Sequence, residues 1–322
     1  MKAIAQDRYG PVESLELRDI DVPVIGDDEV LVEVRAAGVE PGVWHLMTGL
    51  PYVMRVMGFG FRGPKSPVRG RDVAGHVEAV GKEVTRFKPG DEVFGTCKGS
   101  FAEYASALEG QLALKPANLS FEEAAVLPIS GITALQAVRD KGQVAPGEKV
   151  LIIGAGGGVG TFAVQIAKSF GAEVTGVCST SKVDLVASLG ADRVIDYTRD
   201  HIVDGTRYDV IIDNAGNRSL STLRSVLGPE GRLVIVGGEE GGNWVGPLDR
   251  IVPALLIGPF VKQKMGMLMS AENTPDLLAL AELAESGKVR PAVERTYPLV
   301  EAADAVRYVG EGHARGKVVV TI

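Results

Sequence analysis

The feature that most constrains this chain is residues 150–182, VLIIGAGGGVGTFAVQIAKSFGAEVTGVCSTSK. An apolar, β-branched run leads into a glycine-rich turn at residues 154–160. Apolar residues at helical spacing follow over residues 161–170, and a second apolar run follows at residues 173–178. A strand, a glycine turn, a helix and a strand within about thirty residues form the βαβ unit that binds dinucleotides. The stretch therefore predicts a dinucleotide-binding fold.

The glycines of this turn have distinct physical roles. Gly157 allows the backbone to approach a pyrophosphate closely, and Gly160 allows the helix to pack on the strand. Gly158 and Val159 of the same turn are expected to contact the cofactor, and the helix N-terminus that follows presents free N–H groups and the positive end of its dipole to the phosphates. The strict GxGxxG spacing is not met, because Ala155 stands at its first position. A flexible turn without a cofactor is the alternative, and the strand–turn–helix–strand context favours the cofactor.

The length and the charge of the chain limit the remaining possibilities. At 322 residues, two domains are expected. A net charge of −7 gives no electrostatic reason to expect nucleic acid or an anionic membrane as a partner. The N-terminus lacks a signal-peptide pattern, and the longest apolar stretch, near residues 252–257, is too short to span a bilayer. With only Cys97 and Cys178, we expect reduced thiols and a cytoplasmic protein.

Short strand patterns punctuated by Gly and Pro predict a small β-rich domain or barrel in the first part of the chain. The predicted strands there lie at residues 30–34, 72–80, 92–95 and 101–106. The stretch at residues 38–71 is predicted to be rich in loops. Ser120 and Glu123 predict a capping box at the start of a helix over residues 121–127, and a second helix is expected over residues 131–141.

Strands and helices alternate from residue 148 to about residue 240, which predicts an α/β fold with a doubly wound parallel sheet. The predicted strands lie at residues 149–153, 173–178, 193–196, 210–214 and 232–236. The predicted helices lie at residues 161–170, 182–189 and 220–226. A last strand at residues 317–322 is expected to rejoin the N-terminal β-domain, because chain ends are usually tied down by pairing.

The order and spacing of several motifs resemble the medium-chain dehydrogenase/reductase superfamily, and most of all its zinc-free quinone oxidoreductase branch. The motifs are AAGVEP at residues 36–41, GRDVAGHVEAVG at 70–81, FKPGDEVFG at 87–95, GSFAEYA at 99–105, AAVLPISGITA at 124–134, LGADRVIDY at 189–197 and GKVVV at 316–320. The resemblance implies a GroES-like catalytic domain formed by residues 1–122 with 270–322, and a Rossmann NADPH-binding domain at residues 123–269. It also implies a substrate cleft between the domains and a homodimer paired near residues 264–269.

Zinc-dependent members of the superfamily carry a Cys ligand in the first loop and a His–Glu pair in the second. This chain has no Cys within residues 37–41, and Arg71 and Asp72 stand at the position of the His–Glu pair. Two cysteines cannot form a four-cysteine structural site, and the four histidines show no metal-ligand spacing. We therefore predict a zinc-independent enzyme that holds no metal.

The end of the second strand of the βαβ unit indicates which nicotinamide is bound. An NAD site normally places Asp or Glu about 20 residues beyond the glycine turn, and residues 178–182, CSTSK, contain no acid. Ser179, Thr180 and Lys182 instead offer hydroxyls and one positive charge to a 2′-phosphate, which favours NADPH over NADH. An N-cap serine beside a solvated lysine is the plain alternative. Tyr197 resembles the family tyrosine beside the same phosphate, and a simple strand-end tyrosine is its alternative.

Further cofactor contacts are expected at the carboxyl ends of the parallel strands. Asn214 ends the fourth of these strands, and Val236 and Gly237 end the fifth. Ordinary turns without a cofactor are the alternative. Thr133, in SGITA, resembles the family residue beside the nicotinamide ring.

The loop at residues 38–61 is expected to cover the substrate. Relatives usually carry Asn at the position of Glu40 and Asp at that of Val43, so this chain departs from the family pattern. Tyr52 resembles a pocket tyrosine that hydrogen-bonds a carbonyl oxygen or supplies a proton, and packing against the scaffold is its alternative. The apolar side chains that form either a substrate pocket or local core are Trp44, Met54, Met57, Phe59 and Phe61.

Together these features predict an NADPH-dependent, zinc-free oxidoreductase whose partner is a small-molecule hydride acceptor. The expected acceptor is a quinone or an α,β-unsaturated carbonyl compound, which the protein aligns with C4 of the nicotinamide. An NAD(P)-dependent alcohol or carbonyl oxidoreductase is the first alternative. A catalytically weak NADPH-binding sensor or structural protein is the second, motivated by the departures at Glu40 and Val43.

Overall fold

Strands and helices cover most of the part of the chain that the computed structural model describes, which is residues 1–53, 55, 60–61, 63–237 and 261–322. The strands of these residues are β1 (Lys2–Ala5), β2 (Glu16–Asp19), β3 (Glu29–Val39), β4 (Asp72–Val80), β5 (Glu92–Thr96), β6 (Tyr104–Leu108), β7 (Leu112–Leu114), β8 (Lys149–Ile153), β9 (Glu173–Cys178), β10 (Arg193–Asp196), β11 (Tyr208–Asp213), β12 (Leu227–Ile235), β13 (Lys264–Met267), β14 (Val293–Pro298) and β15 (Lys317–Thr321). Their α-helices are α1 (Pro41–Thr48), α2 (Phe121–Ala124), α3 (Pro128–Leu135), α4 (Gly158–Ser169), α5 (Val183–Ser188), α6 (Leu220–Val226), α7 (Thr274–Glu285) and α8 (Ala302–Gly310).

The chain divides into two compact units. Unit 1 contains Met1–Ile132 and Glu272–Ile322, and unit 2 contains Thr133–Ala271. The sequence predicts boundaries after residues 122 and 269, whereas residues 123–132 belong to unit 1 and residues 270–271 to unit 2. The first shift has a packing reason, since α2 lies against β3 and β4 of unit 1.

Unit 1 is built on a sheet of seven strands. Its order is β14-β15-β3-β4-β5-β7, with β6 paired to β3, while β1 and β2 form a separate two-stranded sheet. Val30, Val32 and Val34 of β3 are buried and alternate with more exposed residues, as expected for a strand with one face on a core. The last strand, β15, pairs antiparallel with β3, so the predicted return of the chain end to the N-terminal β-domain is confirmed.

Unit 2 is built on six parallel strands in the order β10-β9-β8-β11-β12-β13. The residues from Val150 to Ile153 in β8 are almost fully buried, as expected for a strand in the interior of a parallel sheet. The chain runs from β8 outward to β10 and then returns to β11 on the other side of β8. This reversal of strand order is the topological switch point at which α/β sheets bind ligands. The predicted α/β fold class is confirmed.

Several local predictions differ from the structure. Residues 41–48, predicted as part of a loop-rich stretch, form α1, because Pro41 is compatible with a helix start and Gly49 ends the helix with a positive φ of 65°. The strand predicted at residues 101–106 begins only at Tyr104, since the backbone of Phe101 bonds Ile4 and Arg69. The predicted helix over residues 131–141 starts earlier, and its last six residues are π-helical.

The capping box predicted at the start of α2 is confirmed. Ser120 accepts a hydrogen bond from the backbone N–H of Glu123, whose carboxylate accepts one from the backbone N–H of Ser120. Within the described ranges, no helix combines the length and the apolar character needed to cross a membrane. Met54, Met57, Phe59 and the apolar stretch at residues 252–257 lie outside the described residues.

Candidate active site

The glycine turn after β8 brings strand, turn and helix into close contact. The N–H groups of Gly154 and Ala155 both donate to the carbonyl of Val177 at 3.0 Å. A Cβ atom at Gly160 would lie 2.1 Å from the carbonyl oxygen of Gly154, so only glycine allows this approach. A Cβ atom at Gly157 would meet only that same oxygen, at 3.4 Å, which leaves the outer side of the turn open to a ligand. Helix α4 starts immediately after Gly157, so its first N–H groups lie at this open side.

The loop after β9 lies beside the glycine turn. A Cβ atom at Gly156 would lie 2.7 Å from Cβ of Lys182 and 2.8 Å from its Cδ, so the stem of this lysine packs on the turn. Ser179 precedes a short 3₁₀ helix, Thr180–Lys182, and its hydroxyl lies 3.4 Å from that of Ser181. The structure therefore brings Lys182 and the glycine turn together at the carboxyl end of the sheet.

A carboxylate outside the predicted set of site residues lies next to this loop. Asp196, which is 8% exposed, accepts hydrogen bonds from Thr180 Oγ1 (2.6 Å), Thr198 Oγ1 (2.8 Å) and the Thr198 N–H (3.0 Å). The hydrogen bond from Thr180 is the main cause that lowers the pKa of Asp196. The Nε atom of Arg199 lies 3.6 Å from the same carboxylate, and Tyr197 is 49% exposed. The strand register is what could have identified Asp196 as a site residue. The pairing of β10 with β9 places Asp196 opposite Cys178, the residue at which the predicted phosphate loop begins.

Two more strand ends lie at the same edge of the parallel sheet. The Nδ2 atom of Asn214 donates to the carbonyl of Ile153 at 3.0 Å, while its buried Oδ1 has no hydrogen-bond partner among the described residues. Gly237, which follows Val236 after β12, approaches so closely that a Cβ atom there would lie 2.2 Å from the Asn214 carbonyl oxygen. A buried acceptor without a donor fits a bound ligand that supplies one.

Thr133 begins unit 2 within helix α3. It is 8% exposed, and its hydroxyl donates to Ser270 at 3.2 Å. One turn later, Gln136 makes two hydrogen bonds with the backbone of Ala271. These contacts fix α3 to the segment that precedes Glu272.

In unit 1, the residues predicted for the substrate pocket differ in exposure and in the groups that they contact. Tyr52 is 39% exposed, and the guanidinium of Arg55 lies 4.8 Å from its ring centre and 4.4 Å from that of Tyr9. Trp44 packs against the core of unit 1, and a Cβ atom at Gly310 would lie 2.3 Å from its ring. Phe61 is 74% exposed. The structure thus favours the local-core alternative for Trp44.

Glu40 lies in a buried cluster of polar side chains, which we call the Lys317 cluster and define as Glu40, Asp72, Ser130 and Lys317. All four are at most 5% exposed. The ammonium of Lys317 contacts the Glu40 carboxylate and donates to Ser130 Oγ at 2.9 Å. Burial, followed by the charge of Glu40, raises the pKa of Asp72 well above its usual range. Burial also raises the pKa of Glu40, but Lys317 and the hydrogen bonds outweigh it, and its pKa is lowered overall.

No group of three or more His, Cys, Asp or Glu side chains that could hold a metal ion comes together in the described part of the chain. In the Lys317 cluster the positive charge beside the carboxyl groups is an ammonium, and Arg71 is paired with Glu272 at 2.5 Å. These donors do not fit a divalent cation, which needs several free N, S or carboxylate ligands.

Comparison with known proteins identifies the family. The model of the alcohol dehydrogenase GroES-like domain matches residues 26–117, and the zinc-binding dehydrogenase model matches residues 189–320. The mouse protein named NAD(P)H oxidoreductase RTN4IP1, mitochondrial, is 34% identical over 100% of this chain and 89% of its own length. The chain belongs to the medium-chain dehydrogenase/reductase superfamily.

Two further members of the superfamily resemble this chain over nearly its whole length. The NADPH-dependent alkenal/one oxidoreductase, chloroplastic, of Arabidopsis thaliana is 35% identical over 99% of this chain and 79% of its own length. The structure of the quinone oxidoreductase from Coxiella burnetii has a TM-score of 0.87 at 29% identity, covering 100% of this chain and 99% of that one. The predicted resemblance to the quinone oxidoreductase branch is confirmed, and the protein is an oxidoreductase that uses a nicotinamide cofactor.

Proposed function

We propose that this chain transfers hydride from NADPH to a quinone or an α,β-unsaturated carbonyl compound without a metal. The observation that carries the NADPH preference is the position of Lys182, whose side chain lies against the glycine turn at Gly156. Cys178 ends β9 and residues 179–182 follow it, and none of these residues is acidic. A 2′-phosphate at this loop would meet the charge of Lys182 and the hydroxyl groups of Ser179 and Ser181, whereas Thr180 donates its hydroxyl hydrogen to Asp196. A positive charge and hydroxyl donors suit a phosphate better than a ribose hydroxyl alone.

Asp196 is the residue that opposes this preference, because a carboxylate repels a phosphate. Its oxygens, however, already accept three hydrogen bonds from Thr180 and Thr198. These bonds occupy most of the acceptor positions with which a carboxylate would bind a ribose hydroxyl. The guanidinium of Arg199 beside it adds a second positive charge to that of Lys182. The two adjacent loops therefore suit a phosphate despite the acid.

The chain's own residues bind and orient the cofactor. The N–H groups of Gly158 and Val159 at the start of α4 suit the pyrophosphate, and Asn214 Oδ1 offers an acceptor at a neighbouring strand end. When bound, the nicotinamide supplies the hydride from C4. The residues around it contribute alignment and exclusion of water.

The acceptor class is supported by chemistry and by the names of two relatives. The Arabidopsis relative is named for alkenals and alkenones, and the Coxiella protein is named for quinones. A conjugated acceptor has an electrophilic carbon of its own, so hydride addition does not depend on a Lewis acid. The half-exposed hydroxyl-bearing ring of Tyr52, or solvent, is proposed to supply the proton.

The partners and the location are also proposals. We propose a homodimer that pairs along β13, which stands at one end of the six-stranded sheet. Sedimentation of the purified protein tests it, because a monomer at micromolar concentration would contradict it. The names of the mouse and Arabidopsis relatives place those two proteins in mitochondria and chloroplasts. A cytoplasmic location of this chain therefore remains a prediction.

The cofactor preference is tested by Lys182→Ala. Losing a charge-assisted hydrogen bond of about 1.5–3 kcal/mol should raise the Kd for NADPH about 10- to 100-fold and leave that for NADH within about twofold. Lys262→Ala is the matched control, because Lys262 is 80% exposed and precedes β13 at the opposite edge of the sheet. Fluorescence titration measures both constants. An equal loss of affinity for NADPH and NADH would contradict the phosphate assignment.

The reaction is tested with a panel of quinones, enones, aldehydes and alcohols, each with NADPH and NADH, with and without a chelator. Consumption of NADPH with quinones or enones, unchanged by the chelator, is the expected result. Turnover restricted to alcohols and aldehydes would support the carbonyl oxidoreductase alternative. Binding of NADPH without turnover would support the sensor alternative, and loss of activity with the chelator would contradict metal-free chemistry.

A further inference from the structure

The Lys317 cluster joins four distant parts of unit 1 at buried positions. Glu40 lies between β3 and α1, Asp72 begins β4, Lys317 begins β15, and Ser130 lies in the first turn of α3. Their exposed fractions are 5%, 0%, 2% and 2% in that order. The cluster thus contains two carboxyl groups and one ammonium group. If all three were ionised, its net charge would be −1.

The charged groups that face the cluster from neighbouring segments do not balance this excess. Arg71, which precedes Asp72, is paired with Glu272 at 2.5 Å. Cys97, which follows β5, is buried, and burial raises the pKa of its thiol, so the thiol is neutral. An uncompensated carboxylate in a dry interior is strongly unfavourable, and such a group takes up a proton instead.

The contacts decide which carboxyl group holds the proton. Glu40 contacts the ammonium of Lys317 and accepts from Ser130 Oγ at 3.3 Å, so it has partners that stabilise an anion. Asp72 accepts one hydrogen bond, from the Ile129 N–H to Oδ1 at 3.1 Å. Its Oδ2 finds no donor among the described residues, although its carboxyl group lies within hydrogen-bond reach of Glu40. A proton on Oδ2 explains both the missing donor and the nearness of Glu40, because Oδ2 then donates a hydrogen bond to the Glu40 carboxylate.

We propose that Asp72 and Glu40 form a buried proton-binding site, in which neutral Asp72 donates its carboxyl hydrogen to the Glu40 carboxylate beside Lys317. The site has a second role in the fold. The Ile129 N–H belongs to the first turn of α3, where backbone donors lack an intrahelical partner. Asp72 is therefore a cap supplied to α3 from another element, and its proton lets it serve there without adding a charge.

Infrared spectroscopy of the folded wild-type protein tests the proton. The expected result near neutral pH is a carboxylic acid C=O band, absent from ionised carboxylates, that shifts when aspartate is labelled with ¹³C at the carboxyl carbon. The band should be lost in Asp72→Asn and shifted in Glu40→Gln. It should persist in Asp213→Asn, the control, because Asp213 is also 0% exposed but lies in unit 2.

Three outcomes would overturn the proposal: no acid band in the wild-type protein, a band insensitive to aspartate labelling, or a band lost in Asp213→Asn instead. The labelling result needs no variant, so it stands even if a substitution prevents folding. The capping role is tested by hydrogen exchange, in which Asp72→Ala should speed exchange of the Ile129 amide at least tenfold relative to amides in α7. An unchanged rate would contradict the cap.

Discussion

Lys317 is the single positive charge of its cluster, so its removal gives the sharpest test of how unit 1 is held together. The substitution Lys317→Met keeps the length and apolar volume of the side chain and deletes the ammonium. Glu40, at 5% exposure, cannot regain water and is left as a buried carboxylate without a cation. Breaking a buried ion pair by removing one partner costs about 3–5 kcal/mol of unfolding free energy.

A second estimate comes from the way the variant can escape this cost, which is to protonate Glu40. At pH 7, protonating a carboxyl group of ordinary pKa about 4.3 costs about 3.7 kcal/mol, at about 1.36 kcal/mol per pH unit. The two estimates agree at about 4 kcal/mol. The protonation route predicts that the loss shrinks to about 1 kcal/mol at pH 5, because little free energy is then needed to protonate Glu40.

The assay is urea denaturation of wild type, Lys317→Met, Glu40→Gln and the double variant at pH 5 and pH 7. The double variant should recover most of the loss, because it leaves no buried charge without a partner. Lys115→Met is the matched control: the Lys115 side chain is only 6% exposed, but its partner Glu92 is 48% exposed and keeps its water. The control should lose about 1–2 kcal/mol through its hydrogen bonds to carbonyl groups, equally at both pH values. A loss for Lys317→Met that is the same at both pH values and is not recovered by Glu40→Gln would refute the reasoning.

Three further predictions concern Asp72, the glycine turn and the thiols. Because the folded pKa of Asp72 is raised well above its usual range, its contribution to stability is complete below pH 4 and declines as pH rises toward that pKa. Relative to Asp72→Asn, the wild type should lose up to about 1.4 kcal/mol per pH unit over this rise in urea denaturation. Gly160→Ala should weaken NADPH and NADH about tenfold or more in fluorescence titration, since its Cβ would meet backbone at 2.1 Å, whereas Gly42→Ala, with nothing within 4 Å, should not. Cys97 and Cys178 should react with a colorimetric thiol reagent at pH 8 only after unfolding. Burial raises the pKa of Cys178 to about 11 and that of Cys97 further, so neither thiol forms the reactive thiolate in the folded protein. Fast reaction of the folded protein would contradict this prediction.

Sequence patterns predicted unit 2 well because its order is local. The strands β8 to β12 appear as apolar runs, and each helix follows its strand within a few residues, so periodicity and glycine spacing are enough. The cap of α2 was predicted for the same reason, since Ser120 and Glu123 are three residues apart. Helix α1 was missed although Pro41 and Gly49 mark its ends, because the apolar and glycine-rich composition around it suggested a loop.

The polar clusters could not be predicted, because their members are far apart in sequence. Glu40 and Lys317 are 277 residues apart, and the contact exists only because β15 returns to β3. The return of β15 was predicted, but the register that places Val318 opposite Val39 was not. Asp196 required a similar step, since the hydrogen bond that it accepts from Thr180 follows from the pairing of β10 with β9. The sequence therefore predicted which strands form, whereas the side-chain contacts between residues on different strands were known only from the structure.

The metal-free proposal changes its basis once these contacts are known. From sequence it depended on Arg71 and Asp72 standing where relatives carry His and Glu. In the structure, Arg71 is engaged with Glu272, and Asp72 is engaged with Ile129 and the carboxyl group of Glu40. A divalent cation near Asp72 would have to displace these contacts and would also face the ammonium of Lys317. Positions where relatives carry metal ligands are thus already filled by other charges, and such a site suits an acceptor whose own conjugation makes its carbon electrophilic.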